Sequence, residues 1–227
     1  NADWTSLGNT DFGDGWILSA YLKPEYTVLD ALYPVEIQRN KKDANLYRLI
    51  EPWGSNSPLA DLNKNPRKRN LEFSIGSKAI FITPQEAGFT GEKGDFTVCN
   101  LEGYLKAANP EASETAIFAV LEKNGTEATS IVNDEEQGMY IEVPACMLDL
   151  NNAGELYTWN NNPHGYIFMP DATTNIKAKV TARNIARPAK GSMLKSIRRV
   201  KAHRVNVTNL HIPVLTNKVK AYSLKAK

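Results

Sequence analysis

The feature that most constrains this chain is a series of short apolar alternations separated by turn chemistry. The stretch YPVEIQRNKKDANLYRLIEPWG, residues 33–54, shows it most clearly. Val35 and Ile37 alternate with Glu36 and Gln38, and a period of two puts such residues on opposite faces of a strand. Tyr47 and Leu49 likewise oppose Arg48 and Ile50. Between the two runs, RNKKDAN supplies Asp and Asn, whose side chains bond to nearby backbone and tolerate a bend. The spacing predicts a hairpin with a loop rather than a two-residue turn, and Pro52 ends the second strand by withholding a backbone donor.

The same pattern recurs downstream. LEFSIG places Leu71, Phe73 and Ile75 on one face, and KAIFITP is a short apolar run stopped by Pro84. In GEKGDFTVCNLEGYL, Phe96, Val98 and Asn100 alternate with Thr97, Cys99 and Leu101. GMYIEVPA turns Met139, Ile141 and Val143 inward with Glu142 outward, and HGYIFMPD supplies a last strand. SNSPLADLNKNPRKRN, residues 55–70, reads as loop. SETAIFAVLEKNG, residues 113–125, suits either a helix ended by Gly125 or a strand before an Asn-Gly turn, and its neighbours favour the strand. Strands recurring about every 10 to 20 residues predict an antiparallel all-β fold: a β-sandwich, with a β-barrel as the alternative.

Charge divides the chain in two. Residues 1–170 carry 13 Lys/Arg against 24 Asp/Glu, whereas residues 171–227 carry 14 Lys/Arg against Asp171 alone. The total of +2 therefore combines an acidic β domain, 1–170, with a basic C-terminal segment, 171–227. Met193, Ile197 and Val200 stand at helical spacing in that segment, and Val205 and Val207 alternate beyond them. This predicts a mixture of short helix and strand packed on the β domain, with charge attraction between the two. Lys195, Arg198, Arg199, Lys201 and Arg204 form its basic surface. Tyr222 is its only aromatic residue, so base stacking is poorly served and nucleic acid is not an expected partner.

No stretch approaches the roughly 18 apolar residues needed to cross a bilayer. The polar start, NADWTSLG, fits a cytoplasmic protein or an exported one whose leader has been removed. The two cysteines, Cys99 and Cys146, exclude a disulfide scaffold. Their apolar neighbours fit buried thiols, and a single bridge between them is the alternative.

Taken together, DWTSLGNTDFGDGWI, the 33–54 stretch, GMYIEVPACMLDL and ELYTWNNNPHGYIFMPD resemble β-rich modules of secreted surface lipoproteins of the Bacteroides type. Those modules carry a Trp-x-x-Leu-Gly opening, a VEIQ-like strand and a YRL-x-x-Pro-aromatic strand. The likeness spans residues 4–171. It implies export to the periplasm or outer membrane surface of a Gram-negative bacterium, with membrane contact only through a lipid anchor outside this sequence. It brings no catalytic residues.

Motif chemistry points away from an enzyme. His164, His203 and His211 make no HExxH or paired arrangement, so neither a metal nor a cofactor is expected. No GxSxG elbow or GxxxxGK[ST] loop occurs, and GFTGEKG lacks the helix a phosphate cradle needs. A polysaccharide hydrolase would need two facing carboxylates that no motif identifies. The better-motivated site is aromatic. Trp53, at the exit of the hairpin, and Tyr157 and Trp159, before a run of Asn, would offer flat rings and amides to a sugar face. The alternative is that these rings cap the core. The expectation is a non-catalytic envelope module with a binding or structural role, its partner a polysaccharide or another envelope component.

Overall fold

The hairpin forms as the alternation predicts. The computed structural model describes residues 2–13, 32–91, 94–123, 125, 127–134, 138–143, 146–149, 157–158, 165–170 and 203–204. Strand β1 runs Trp4–Gly13, β2 Tyr33–Asn40 and β3 Leu46–Leu49. Gln38 pairs with Arg48 and Ile37 with Leu49. In the loop, Asn40 Oδ1 accepts from the Lys42 and Asp43 N–H groups, and Asp43 Oδ1 accepts from Asn45 N–H. These are the local bonds expected of such residues in a bend.

Strands β4 (Leu71–Ile75), β5 (Ile80–Phe81), β6 (Gln85–Gly91) and β7 (Gly94–Asn100) follow. Two helices come next, α1 (Leu101–Ala108) and α2 (Glu114–Lys123). The remaining strands are β8 (Ser130–Asp134), β9 (Gly138–Val143), β10 (Cys146–Asp149), β11 (Tyr157–Thr158), β12 (Gly165–Phe168) and β13 (His203–Arg204). Every pairing is antiparallel. One sheet has eight strands in the order β5-β4-β3-β2-β1-β12-β9-β8, and a smaller one has five in the order β13-β11-β10-β7-β6. The all-β class therefore holds.

Both sheets contribute to one core. Phe12, Val35, Ile37, Leu49, Leu71, Phe73, Ile141 and Ile167 come from the larger sheet, and Phe89, Phe96 and Val98 from the smaller. Burying one such side chain stabilises by roughly 1.5–3 kcal/mol. The surface pairs Arg67–Asp95 and Arg69–Glu86, at 3.4 and 3.0 Å, are half-exposed, and pairs of that kind contribute about 0–1 kcal/mol. Packing dominates. The loop 55–70 contains only a short 3-10 turn, Ala60–Leu62. Its Asn63 amide bonds like a backbone unit to the edge of β6, donating to Gly88 O and accepting from Thr90 N–H.

Within the 113–125 stretch, Glu114–Lys123 is helical where alternation favoured a strand. Ser113 Oγ accepts from Ala116 N–H and caps the helix, and Ala116, Ile117, Val120 and Leu121 form the buried stripe. The strand expected through Leu101 also stops one residue early, because Asn100 caps α1 by accepting from Gly103 N–H at 2.7 Å. The two helices cover the outward side of β5 and β7, burying Ala79, Phe81 and Cys99 in a second cluster. Strand β5 is thus covered on both faces, which accounts for the continuous apolar run AIFI.

The eight-stranded sheet curls until its two edge strands, β5 and β8, nearly meet. Among the described residues no ladder joins them. Asn100 spans the gap instead: its Nδ2 donates to Ile80 O at 2.7 Å and to Thr129 Oγ1 at 2.9 Å. Its Oδ1 also accepts from Ile82 N–H at 2.9 Å. Thr129 immediately precedes β8. One wholly buried amide therefore ties both edges of the sheet to the start of α1.

Candidate functional site

The outer faces of β9 and β12 carry aromatic rings where an exposed sheet surface ordinarily carries polar side chains. Ile141 and Ile167 point into the core and are 0% exposed, so period two turns Tyr140, Glu142, Tyr166 and Phe168 to the opposite face. The register sets Phe168 against Tyr140 and Tyr166 against Glu142. Ring centroids lie 5.1 Å apart for Tyr140–Phe168, 6.3 Å for Tyr140–Tyr166 and 6.2 Å for Tyr166–Phe168. Tyr166 is buried at the base of this group with Leu32 against it, while Tyr140 and Phe168 remain half-buried.

The Tyr166 hydroxyl donates to Glu142 Oε1 at 3.3 Å. Burial, and then the neighbouring Glu142 charge, push its phenol well above the usual tyrosine range, so it stays a donor at any ordinary pH. The face therefore combines two partly accessible rings with a carboxylate and a fixed phenol. That is the pairing of apolar ring and hydrogen-bonding group that recognition of a sugar face needs.

A second polar group on the outer face has a structural role. Arg48 is buried, its Nε and Nη2 both donate to Gln38 Oε1 at 2.9 and 2.6 Å, and its guanidinium lies 4.1 Å from the Trp4 ring centroid. Gln38 Nε2 in turn donates to Glu36 Oε1 at 2.9 Å. That bond, with help from Ser6 and the Arg48 charge, holds the Glu36 carboxyl below the usual range. The polar residues of the VEIQ and YRL phrases are bonded to one another across β2 and β3. They brace the hairpin.

The third group is the seam. Glu102, in the first turn of α1, is buried; its Oε1 accepts from Thr129 N–H, and Oε2 lies 3.4 Å from Thr129 Oγ1. Burial pushes its carboxyl up to about 7, against the lowering effect of its hydrogen bonds. Cys99 is a buried thiol. Burial, then the Glu102 charge, raise it far above the thiol range, so it is no nucleophile.

The residues proposed from sequence do not converge. Trp53 is only 2% exposed, its ring packed edge-on to Phe12 at 5.8 Å. That corrects the expectation of a ligand-facing ring: Trp53 fills the core, and the Tyr33 hydroxyl braces its turn by donating to Pro52 O at 2.7 Å. Tyr157 lies in β11, with Arg204 of β13 opposite it in register. Trp159 lies outside the described residues, as do Lys195, Arg198, Arg199, Lys201 and the helix expected around residues 193–201. The pairing of β13 with β11 attaches one point of the basic segment to the smaller sheet.

The aromatic face is hidden when only the inward residues of GMYIEV and GYIF are followed. The same alternation, read for the other face, identifies Tyr140, Tyr166 and Phe168. Among the described residues, no three His, Cys, Asp or Glu side chains are grouped to hold a metal ion, and no helix is long and apolar enough to cross a membrane. No family model, curated protein or solved structure matches the chain.

Proposed function

We propose that this chain is a non-catalytic, exported module of the Gram-negative cell envelope, acting at the outer membrane surface or in the periplasm. Its binding face is the outer side of β9 and β12, and its partner is an envelope polysaccharide. The observation that carries this reading is the Tyr140–Tyr166–Phe168 group beside Glu142 on the outward face of core strands. Ile141 and Ile167 fill the core beneath them, and the half-buried rings of Tyr140 and Phe168 keep part of their area accessible to a partner. The family likeness of the hairpin supports export.

Calorimetric titration of the full chain with purified envelope polysaccharides tests the face. Phe168→Ala and Tyr140→Ala are each expected to weaken binding about tenfold, or about 1.4 kcal/mol, with the circular dichroism spectrum unchanged. Unchanged affinity in both folded variants would remove this face from the proposal. Fractionation of the native cells tests export on its own: recovery with the envelope supports it, and recovery with the cytosol contradicts it.

A further inference from the structure

We infer that Glu102 is a proton-controlled latch that holds the leading end of β8 to helix α1 and so keeps the seam of the eight-stranded sheet closed. Glu102 is placed for that role. Glu102 is 1% exposed and bonds through both carboxyl oxygens to Thr129, the residue just ahead of the sheet's last strand. Among the described residues β8 has one strand neighbour, β9, so on its other side the side chains of Glu102 and Asn100 stand in for a ladder.

The second support is the absence of a countercharge at the carboxyl group among the described residues. Helix α2 packs nearby with Ala116, Ile117, Val120 and Leu121, none of which titrates. Strand β5 presents Ile80 and Phe81. Strand β7 presents the Cys99 thiol, whose charged form the Glu102 charge opposes. On α1 itself, Lys106 donates to Ala112 O at 2.8 Å and lies over the Phe81 ring. The Glu127 side chain, on the segment leading to Thr129, is exposed. The helix N-terminus and the Thr129 N–H are what favour the ionised form.

The two protonation states make different seams. In the neutral acid, one oxygen accepts from Thr129 N–H while the O–H donates to Thr129 Oγ1, and no charge is buried. In the carboxylate, both oxygens accept and a bare charge must stay dry, which is costly without a paired cation. Hydrating that charge means releasing Thr129. The sign follows: a carboxyl raised from 4.5 to about 7 by folding stabilises the closed seam fully below 4.5, and that contribution is lost as pH rises through 7.

Amide hydrogen exchange on the full chain, corrected for the intrinsic rate at each pH, tests the latch. For those two values, opening of the Thr129 N–H is expected to rise about tenfold between pH ~6 and ~8. In Glu102→Gln, whose amide can accept from Thr129 N–H and donate to Oγ1 without titrating, that rise should vanish. A pH-independent Thr129 protection factor in the wild type, or the same rise in Glu102→Gln, would overturn the latch. Should Glu102→Gln fail to fold, the carboxyl carbon of Glu102 can be titrated by NMR in the wild-type chain. A midpoint near 4.5 would overturn the inference, and one near 7 that coincides with the loss of Thr129 protection supports it.

Discussion

Replacing Asn100 by Asp separates two roles that its side chain plays at once. As an N-cap, Asn100 accepts from Gly103 N–H, and Asp is as good a cap as Asn, so capping alone puts the cost of the exchange near zero. As the seam, Asn100 must also donate, to Ile80 O at 2.7 Å and Thr129 Oγ1 at 2.9 Å. A carboxylate cannot donate. It would place an oxygen against the Ile80 carbonyl inside a wholly buried site and add a charge close to Glu102. Each buried polar group that loses its partner costs about 1–3 kcal/mol, so breaking both bonds predicts a loss of roughly 2–6 kcal/mol. Set against the 5–15 kcal/mol typical of a folded domain, that is a large fraction. Urea unfolding of both proteins, with equal slopes checked, measures it. An Asp variant within about 1 kcal/mol of wild type would refute the reasoning and leave Asn100 a simple helix cap.

Two further substitutions test neighbouring parts of the structure. A Cβ on Gly103 would meet Ile82 O at 2.0 Å and Thr83 N at 2.7 Å, backbone atoms that cannot swing aside. Gly103→Ala should therefore destabilise by about 1–3 kcal/mol in thermal or urea unfolding, although alanine favours helix, and a neutral result would mean that α1 lies farther from the strand than described. Glu114 accepts from Ser77 and Lys78 N–H and from the Ser77 hydroxyl; burial opposes ionisation, but these bonds together hold its carboxyl below the usual range. Its contribution is present above pH ~4.5 and lost as pH falls through the lowered value, the opposite sense to Glu102. Glu114→Gln should thus lower stability at neutral pH and flatten the acid side of the stability profile, and an unchanged acid limb would contradict the assigned bonds.

The strands were legible because their information is local. Val35 and Ile37, Leu71 and Phe73, and Ile141 and Val143 alternate against polar or outward residues, and the Asn and Asp of the first hairpin loop bond within a few positions of themselves. The second helix was obscured because Ile117 and Val120 suit a strand as well, and the deciding residue, Ser113, acts only through a backbone N–H that a strand would use otherwise. Trp53 sits at a loop boundary in sequence, and the ring that encloses it belongs to Phe12, on a distant strand. Asn100 was hidden most completely. It falls on an inward position of an alternating stretch, yet its partners Ile80 and Thr129 lie 20 and 29 residues away. No periodicity reports a bond of that range.

Site-resolved hydrogen exchange at the Ile82 amide tests most directly the claim that side chains close the eight-stranded sheet. Ile82 lies just past β5 and its N–H donates to Asn100 Oδ1 at 2.9 Å. If Asn100 holds the seam, that amide should exchange only through global unfolding, with protection equal to that of Ile141 and Ile167 in the central strands. Exchange at the rate of an exposed loop amide, with Ile141 and Ile167 still protected, would contradict the account and leave the two edges of the sheet unjoined.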